Sequence, residues 1–139
     1  MPVTVEAVDQ LSDQDRSDLI KIYQDAPSWM LDDKSPEQWL QDQLSGQGVQ
    51  VLAGRFNDRL LGALTLANQE GGTEVANLCV RKVTRRRGVA SRLIAYALEH
   101  GARPLVAKVP QNSTTDMLFQ KFDFEKVASA DGQAEWQLN

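Results

Sequence analysis

Residues 74–109 constrain the fold more than any other stretch, because they read in turn as strand, basic turn, helix and strand. Residues 74–80 (EVANLCV) have the pattern of a strand that runs straight into a basic segment. From Val89 to about His100 two rows recur at spacing four, Val89, Leu93, Ala97 and Ala90, Ile94, Leu98, and Gly101 is a natural stop. Residues 105–109 (LVAKV) are short and apolar enough for a central strand. Strands joined through one helix pair in parallel, so one βαβ crossover is expected here.

The remainder reads as antiparallel strands and three helices. Val3, Val5 and Ala7 alternate with polar residues as a half-buried first strand. Ser12-Asp13-Gln14-Asp15 is a capping-box pattern opening a helix with Leu19, Ile22 and Tyr23 on one face. Residues 24–34 are polar and irregular. A second helix starts at Ser35, with Pro36 in the first helical position, Gln38 reaching back and Trp39, Leu40 and Leu44 apolar; Gly46 to Gly48 end it. Residues 49–55 and 60–66 form a hairpin, with Asn57-Asp58 suited to the positive φ of a tight turn. Ser113 with Asp116 caps a last helix carrying Met117, Leu118 and Phe122, and residues 124–128 and 134–138 close the chain as an antiparallel pair around Asp131-Gly132. The expected class is α/β (α+β): a mixed sheet of six to seven strands, about four helices, and the order β-α-α-β-β-β-α-β-α-β-β.

Length and composition narrow the function. The 139 residues suit one domain spanning 1–139, large enough to bury a core without a disulfide or metal staple. One cysteine, Cys79, excludes an internal disulfide framework and a cysteine-built zinc site, and one histidine, His100, excludes zinc sites of several His. No metal is therefore expected. No apolar run approaches membrane-spanning length and the first residues lack a signal-peptide pattern, so the expected location is cytoplasmic. The net charge of −4 is unevenly spread. Residues 1–42 hold ten acids and three bases, a solubilising face or a docking surface, whereas residues 81–92 hold six bases and no acid. That basic run lacks interleaved aromatics, which speaks against nucleic acid as a partner.

The basic run sits where the helix of the crossover begins, the wrong end of the helix dipole for cations. An anion there reverses the argument. First-turn N–H groups, the dipole and guanidinium groups all favour a phosphate, with Gly88 permitting close backbone approach and Ala90 keeping the next position small.

Arg85-x-x-Gly88-x-Ala90 following Leu78-x-Val80 resembles the pyrophosphate loop of the GNAT superfamily, the acetyl-CoA-binding N-acetyltransferase fold, and the element order is similar over nearly the whole chain. The resemblance implies acetyl-CoA as cofactor. It implies that the backbone of Leu78, Cys79 and Val80 pairs with the pantetheine arm like an added strand. Thr84, Arg85, Arg86, Arg87, Gly88, Val89, Ala90 and Ser91 would hold the pyrophosphate, and Asn112, opening the last helix, matches a position that often touches the cofactor.

Three blocks, residues 12–22, 53–64 and 80–90, resemble the PanZ (PanM) family more closely; they total 34 residues. Members of that family bind acetyl-CoA and then the aspartate 1-decarboxylase zymogen PanD, promoting its self-cleavage to the pyruvoyl enzyme of pantothenate and CoA biosynthesis. Residues 23–48 are longer than the family pattern and the last 35 residues match it poorly. The resemblance thus implies a PanZ-like regulator with PanD as partner, and the alternative is an active N-acetyltransferase on a small-molecule or protein amine.

Acetyl transfer needs a neutral amine, a polarised carbonyl and a proton for the thiolate. Many GNAT enzymes place that acid as Tyr in Tyr-x-x-x-Gly-Phe; the corresponding residues are Phe119 and, for the glycine, Asp123. Glu74 occupies a position that sometimes activates the amine through water, although a solvated Glu at a strand start is the commoner meaning. Cys79 reads as a packed thiol, His100 as a last-turn residue favourable to the dipole, and Tyr23, Trp29 and Trp39 as packing for the first two helices, or else as the lining of an acceptor pocket or partner surface.

Overall fold

The computed structural model describes residues 2–85, 87–111 and 113–139, without the side chains of Ser113 and Thr114. Seven strands form one sheet: β1 (Thr4–Val8), β2 (Val49–Phe56), β3 (Arg59–Gln69), β4 (Gly72–Val80), β5 (Leu105–Pro110), β6 (Glu125–Ala130) and β7 (Gln133–Leu138). Their spatial order is β1-β2-β3-β4-β5-β7-β6, with β4 and β5 parallel and every other pair antiparallel. The helices are α1 (Asp13–Gln24), α2 (Pro36–Ser45), α3 (Val89–His100) and α4 (Ser113–Lys121), and short 3-10 turns occupy Ser28–Met30 and Lys82–Thr84.

The helices divide between the two faces of the sheet. Leu19, Ile22 and Tyr23 of α1 and Trp39 and Leu40 of α2 bury against Val51, Ala53, Ala63 and Cys79. On the other face Val89, Leu93, Ile94 and Ala97 of α3, with Phe119 of α4, bury against Leu52, Leu64, Val75, Leu105 and Trp136. The α3 residues are the ones its spacing picked out; each removes an apolar side chain from water, worth about 1.5–3 kcal/mol for the larger ones.

Local chemistry explains the ends of these elements. Ser12 Oγ accepts the Asp15 N–H at 3.1 Å and Ser35 Oγ accepts the Gln38 N–H at 3.2 Å, so both caps form. The reciprocal arms do not. Asp15 turns its carboxylate to Arg55, and Gln38 donates to Asp42 at 2.9 Å instead of reaching back, because a charged partner competes for each side chain. Asn57 and Asp58 take φ of 49° and 64°, as the two-residue hairpin requires.

Three expectations are corrected. Trp29 is 50% exposed at the 3-10 turn and does not pack the first helices, whereas Tyr23 and Trp39 do, with ring centroids 4.3 Å apart. On α4, Leu118 and Phe122 pack partly against the core as expected, but Met117 is 69% exposed and the fully buried residue is Phe119, because the Phe124 and Trp136 rings, at 5.1 and 5.7 Å, lie on its side of the helix. Ser113 is already the first helical residue of α4, so it does not occupy the cap position; Asn112 before it lies outside the described residues.

Candidate functional site

The crossover opens a wedge. β4 pairs with β5 only through Thr73–Leu105 and Glu74–Val106, and beyond Glu74 the two strands diverge. A bulge marks the divergence: Ala63 faces Cys79 but Thr65 faces Ala76, so β4 carries one extra residue. Asn77 supplies it, in the left-handed region at φ 58°. Two contacts hold the bulge, the Tyr23 hydroxyl donating to the Asn77 carbonyl at 2.9 Å and the Asn77 amide donating to Thr65 Oγ1 at 3.0 Å. Burial pushes the Tyr23 phenol well above its ordinary range, with Cys79 adding to the effect, so the hydroxyl stays a donor.

At the end of β4, the Arg81 N–H donates to Leu61 O at 2.9 Å. Strand alternation therefore turns the N–H and C=O of Val80 to the outer edge of the wedge and those of Cys79 back to β3. The outward carbonyl is occupied. Arg85 Nε donates to Val80 O at 2.9 Å and its Nη2 donates to Asp25 O at 3.3 Å, tying the loop to the end of α1. Asp25 adds a second tie by accepting the Lys82 N–H at 2.9 Å. Cys79 lies beneath, 4% exposed, with its thiol donating to Ile22 O at 3.3 Å. Burial pushes that thiol up to about 11, only partly offset by the nearby Arg85. Its thiol is a packed group, as read from the sequence, while its backbone N–H and C=O face β3 instead of the outer edge expected for the pantetheine arm.

The loop ends in a feature suited to an anion. Gly88, the N-cap of α3, has φ 83° and ψ 7°, and Val89 then begins the right-handed helix. A left-handed residue followed by a right-handed one turns successive N–H groups toward one point, a nest. Among the described residues the first helical bond is Arg92 N–H to Gly88 O at 3.1 Å, and the N–H groups of Val89, Ala90 and Ser91 have no helical acceptor among them. Only a residue tolerant of φ near 83° can start the helix this way, and the space beside the Gly88 α-carbon is open.

Packing fixes where the nest points. Val89 is 1% exposed and sits over the cross-strand pair Gly54–Gly62. A Cβ on Gly62 would come within 2.9 Å of Val89 Cγ1, and one on Gly54 within 3.4 Å. These two glycines let the first turn of α3 approach the sheet. Arg92 is turned away from the nest, its Nη2 donating to Val3 O at 3.1 Å.

Of the residues selected from sequence, Leu78, Val80, Thr84, Arg85, Arg87, Gly88, Val89, Ala90 and Ser91 are gathered at the open end of the wedge; Arg86 and Asn112 lie outside the described residues. The Thr84 hydroxyl donates to Arg81 O at 3.0 Å, a loop contact. Glu74 lies at the closed end, flanked by Ala67 and Val106 and about 20 Å along β4 from Val80. Sequence reasoning missed Asn77, Thr65 and Asp25, and read Tyr23 as packing or pocket lining and not as the donor that holds the bulge; an Asn inside a strand was the one local signal available. A cleft of about 280 Å³ lined by Gln50, Asn68, Thr73 and His100 lies at the other end of β4 and is separate from this site.

The nest and wedge fit a phosphorylated ligand with an extended arm: N–H groups without an acceptor among the described residues converge on one end, and a strand edge unpaired with β5, its Val80 carbonyl braced by Arg85, runs from it. Comparisons with known proteins agree with the geometry. The fold is that of the GNAT acetyltransferases: an acetyltransferase of that family from Bacillus cereus superposes with a TM-score of 0.79 at 16% identity, covering 100% of this chain and 98% of the other. The PaiA N-acetyltransferase from Thermoplasma acidophilum, solved in complex with coenzyme A, superposes with a TM-score of 0.72 at 16% identity over 99% and 98%. A family model described as the acetyltransferase (GNAT) domain, PanZ, matches residues 2–116. The PanD regulatory factor of Escherichia coli is 37% identical over 103 residues, 72% of this chain and 69% of its own. The chain belongs to the PanZ family.

Proposed function

We propose that the protein is a PanZ-like regulator that binds acetyl-CoA at the β4–α3 wedge and, so loaded, engages the aspartate 1-decarboxylase zymogen. The nest at Gly88 is the observation that carries the ligand part of this reading, and kinship with a PanD regulatory factor carries the partner. The N–H groups of Val89, Ala90 and Ser91 hold the pyrophosphate, with Arg87 beside them and Arg86 in the same run. The outer edge of β4 at Leu78 and Val80 takes the pantetheine arm. Arg85 serves this site by bracing Val80 and Asp25. Thr84 keeps the loop's shape. When bound, the cofactor supplies an acetyl thioester at the far end of that arm.

The core supports a regulatory reading over a catalytic one. Phe119, where many relatives of this fold carry the tyrosine acid, has no hydroxyl and is buried against Phe124 and Trp136. A carboxylate does stand at Glu74, but at the closed end of the wedge.

Calorimetry of acetyl-CoA against the wild-type protein and Gly88→Val tests the site. Saturable one-to-one binding is expected, weakened at least tenfold by Gly88→Val, since valine disfavours φ near 83° and the nest is lost. Equal affinities would refute the assignment.

A further inference from the structure

The loop motif is not the whole of the anion site. Lys121, in the last turn of α4, reaches across to α3 and donates from Nζ to Ser91 Oγ at 3.2 Å. Ser91 is the third residue of α3 and one of the three whose N–H groups lack a helical acceptor among the described residues. The ammonium therefore stands beside the positive end of the helix dipole, where a cation is unfavourable. Among the described residues no carboxylate lies within ion-pair distance of it. Its other contact is the Phe122 ring, 5.6 Å from Nζ to the centroid.

The neighbouring guanidinium groups sharpen this. Of the cations near the helix start, Arg85 directs Nε and Nη2 to the carbonyls of Val80 and Asp25, and Arg92 directs one Nη2 to that of Val3. Lys121 comes from a different element, 30 residues from Ser91, and reaches the helix's first turn.

We propose that Lys121 is a phosphate ligand of this site, placing its ammonium on the diphosphate linkage of coenzyme A. The proposal rests on the reading of the wedge as a coenzyme A site and adds to it a residue outside the loop. The Ser91 hydroxyl holds the side chain in position, so the charge is preorganised before the ligand arrives. A charge-assisted contact of this kind, exposed to solvent, accounts for roughly a five- to twentyfold gain in affinity.

Calorimetry on Lys121→Met and Lys121→Arg, with coenzyme A and with 3′-dephospho-coenzyme A, tests it, alongside the melting temperature of each ligand-free variant. Expected is a five- to twentyfold loss for Lys121→Met with both ligands, recovery in Lys121→Arg, and a melting temperature unchanged within about a degree. Unchanged affinity for both ligands would overturn the proposal; a fall in melting temperature with affinity intact would do the same by reducing Lys121 to a tether between helices. Loss confined to coenzyme A would overturn the diphosphate assignment by moving the contact to the 3′-phosphate. Failure of the wild-type protein to bind either ligand would instead refute the underlying site, a result distinct from all of these.

Discussion

Asp18 shows how one residue of the acidic first third is used. It is 1% exposed on α1, and it accepts the Leu60 N–H at 3.0 Å, the Arg59 guanidinium at 2.7 Å and the Gln14 amide at 2.9 Å. Burial by itself would raise its carboxyl, but these donors outweigh that effect and hold it below its ordinary value. A depressed carboxyl contributes stability that is present above the unfolded pKa and lost as the pH falls through the folded one. Asp18→Ala should therefore cost about 2–3 kcal/mol at pH 7, less than a fully buried ion pair because Arg59 is half exposed. Urea unfolding should show that deficit shrinking below pH 3.8, the ordinary value; a deficit constant from pH 7 to pH 3 would contradict the assignment. Cys79 is the second residue-scale case. Its thiol, pushed up to about 11 and shielded by α1, should resist a disulfide reagent at pH 8 and react once urea unfolds the chain. Rapid labelling of the native protein would show that the end of α1 lifts from β4.

At the scale of elements, the strands and helices were legible wherever apolar spacing decided burial. The range of α3, the hairpin turn at Asn57-Asp58 and the closing pair around Asp131-Gly132 all follow from local pattern. The bulge was not legible in that way, because what stabilises Asn77 is Tyr23, 54 residues away, together with Thr65 across the sheet. The same holds for the ties from Asp25 to Lys82 and Arg85, and from Lys121 to Ser91: each is a meeting of side chains that only the tertiary structure brings together. The basic motif identified the loop, but not the division of labour within it, since the loop's own carbonyls compete with a ligand for guanidinium donors. Gly54 and Gly62 were read simply as strand residues, yet they set the depth at which α3 begins. Gly62→Ala should cost about 1–3 kcal/mol and weaken acetyl-CoA binding, because Val89 must move off the sheet and carries the nest with it. A variant of lower stability with undiminished affinity would show that the nest is positioned by the loop alone.

For the molecule as a whole, the uneven charge resolves into internal structure. Glu6 and Asp15 pair with Arg55, Asp18 with Arg59 and Asp42 with Lys34, while Asp25 caps the basic loop, so half of the acids in the first third have partners inside the fold. The acidic segment is thus neither only a solubilising face nor only a docking surface. Among the described residues no helix is long and apolar enough to cross a membrane. At the wedge a GNAT fold presents the nest at Gly88 and the outer edge of β4, and in the core beneath α4 Phe119 carries no hydroxyl. The measurement that tests this account most directly mixes the protein with the aspartate 1-decarboxylase zymogen, with and without acetyl-CoA, and follows zymogen cleavage and release of free CoA together. The account predicts a complex and accelerated cleavage only when acetyl-CoA is present, with the thioester left intact. Absence of any complex, or of any acceleration by acetyl-CoA, would contradict it.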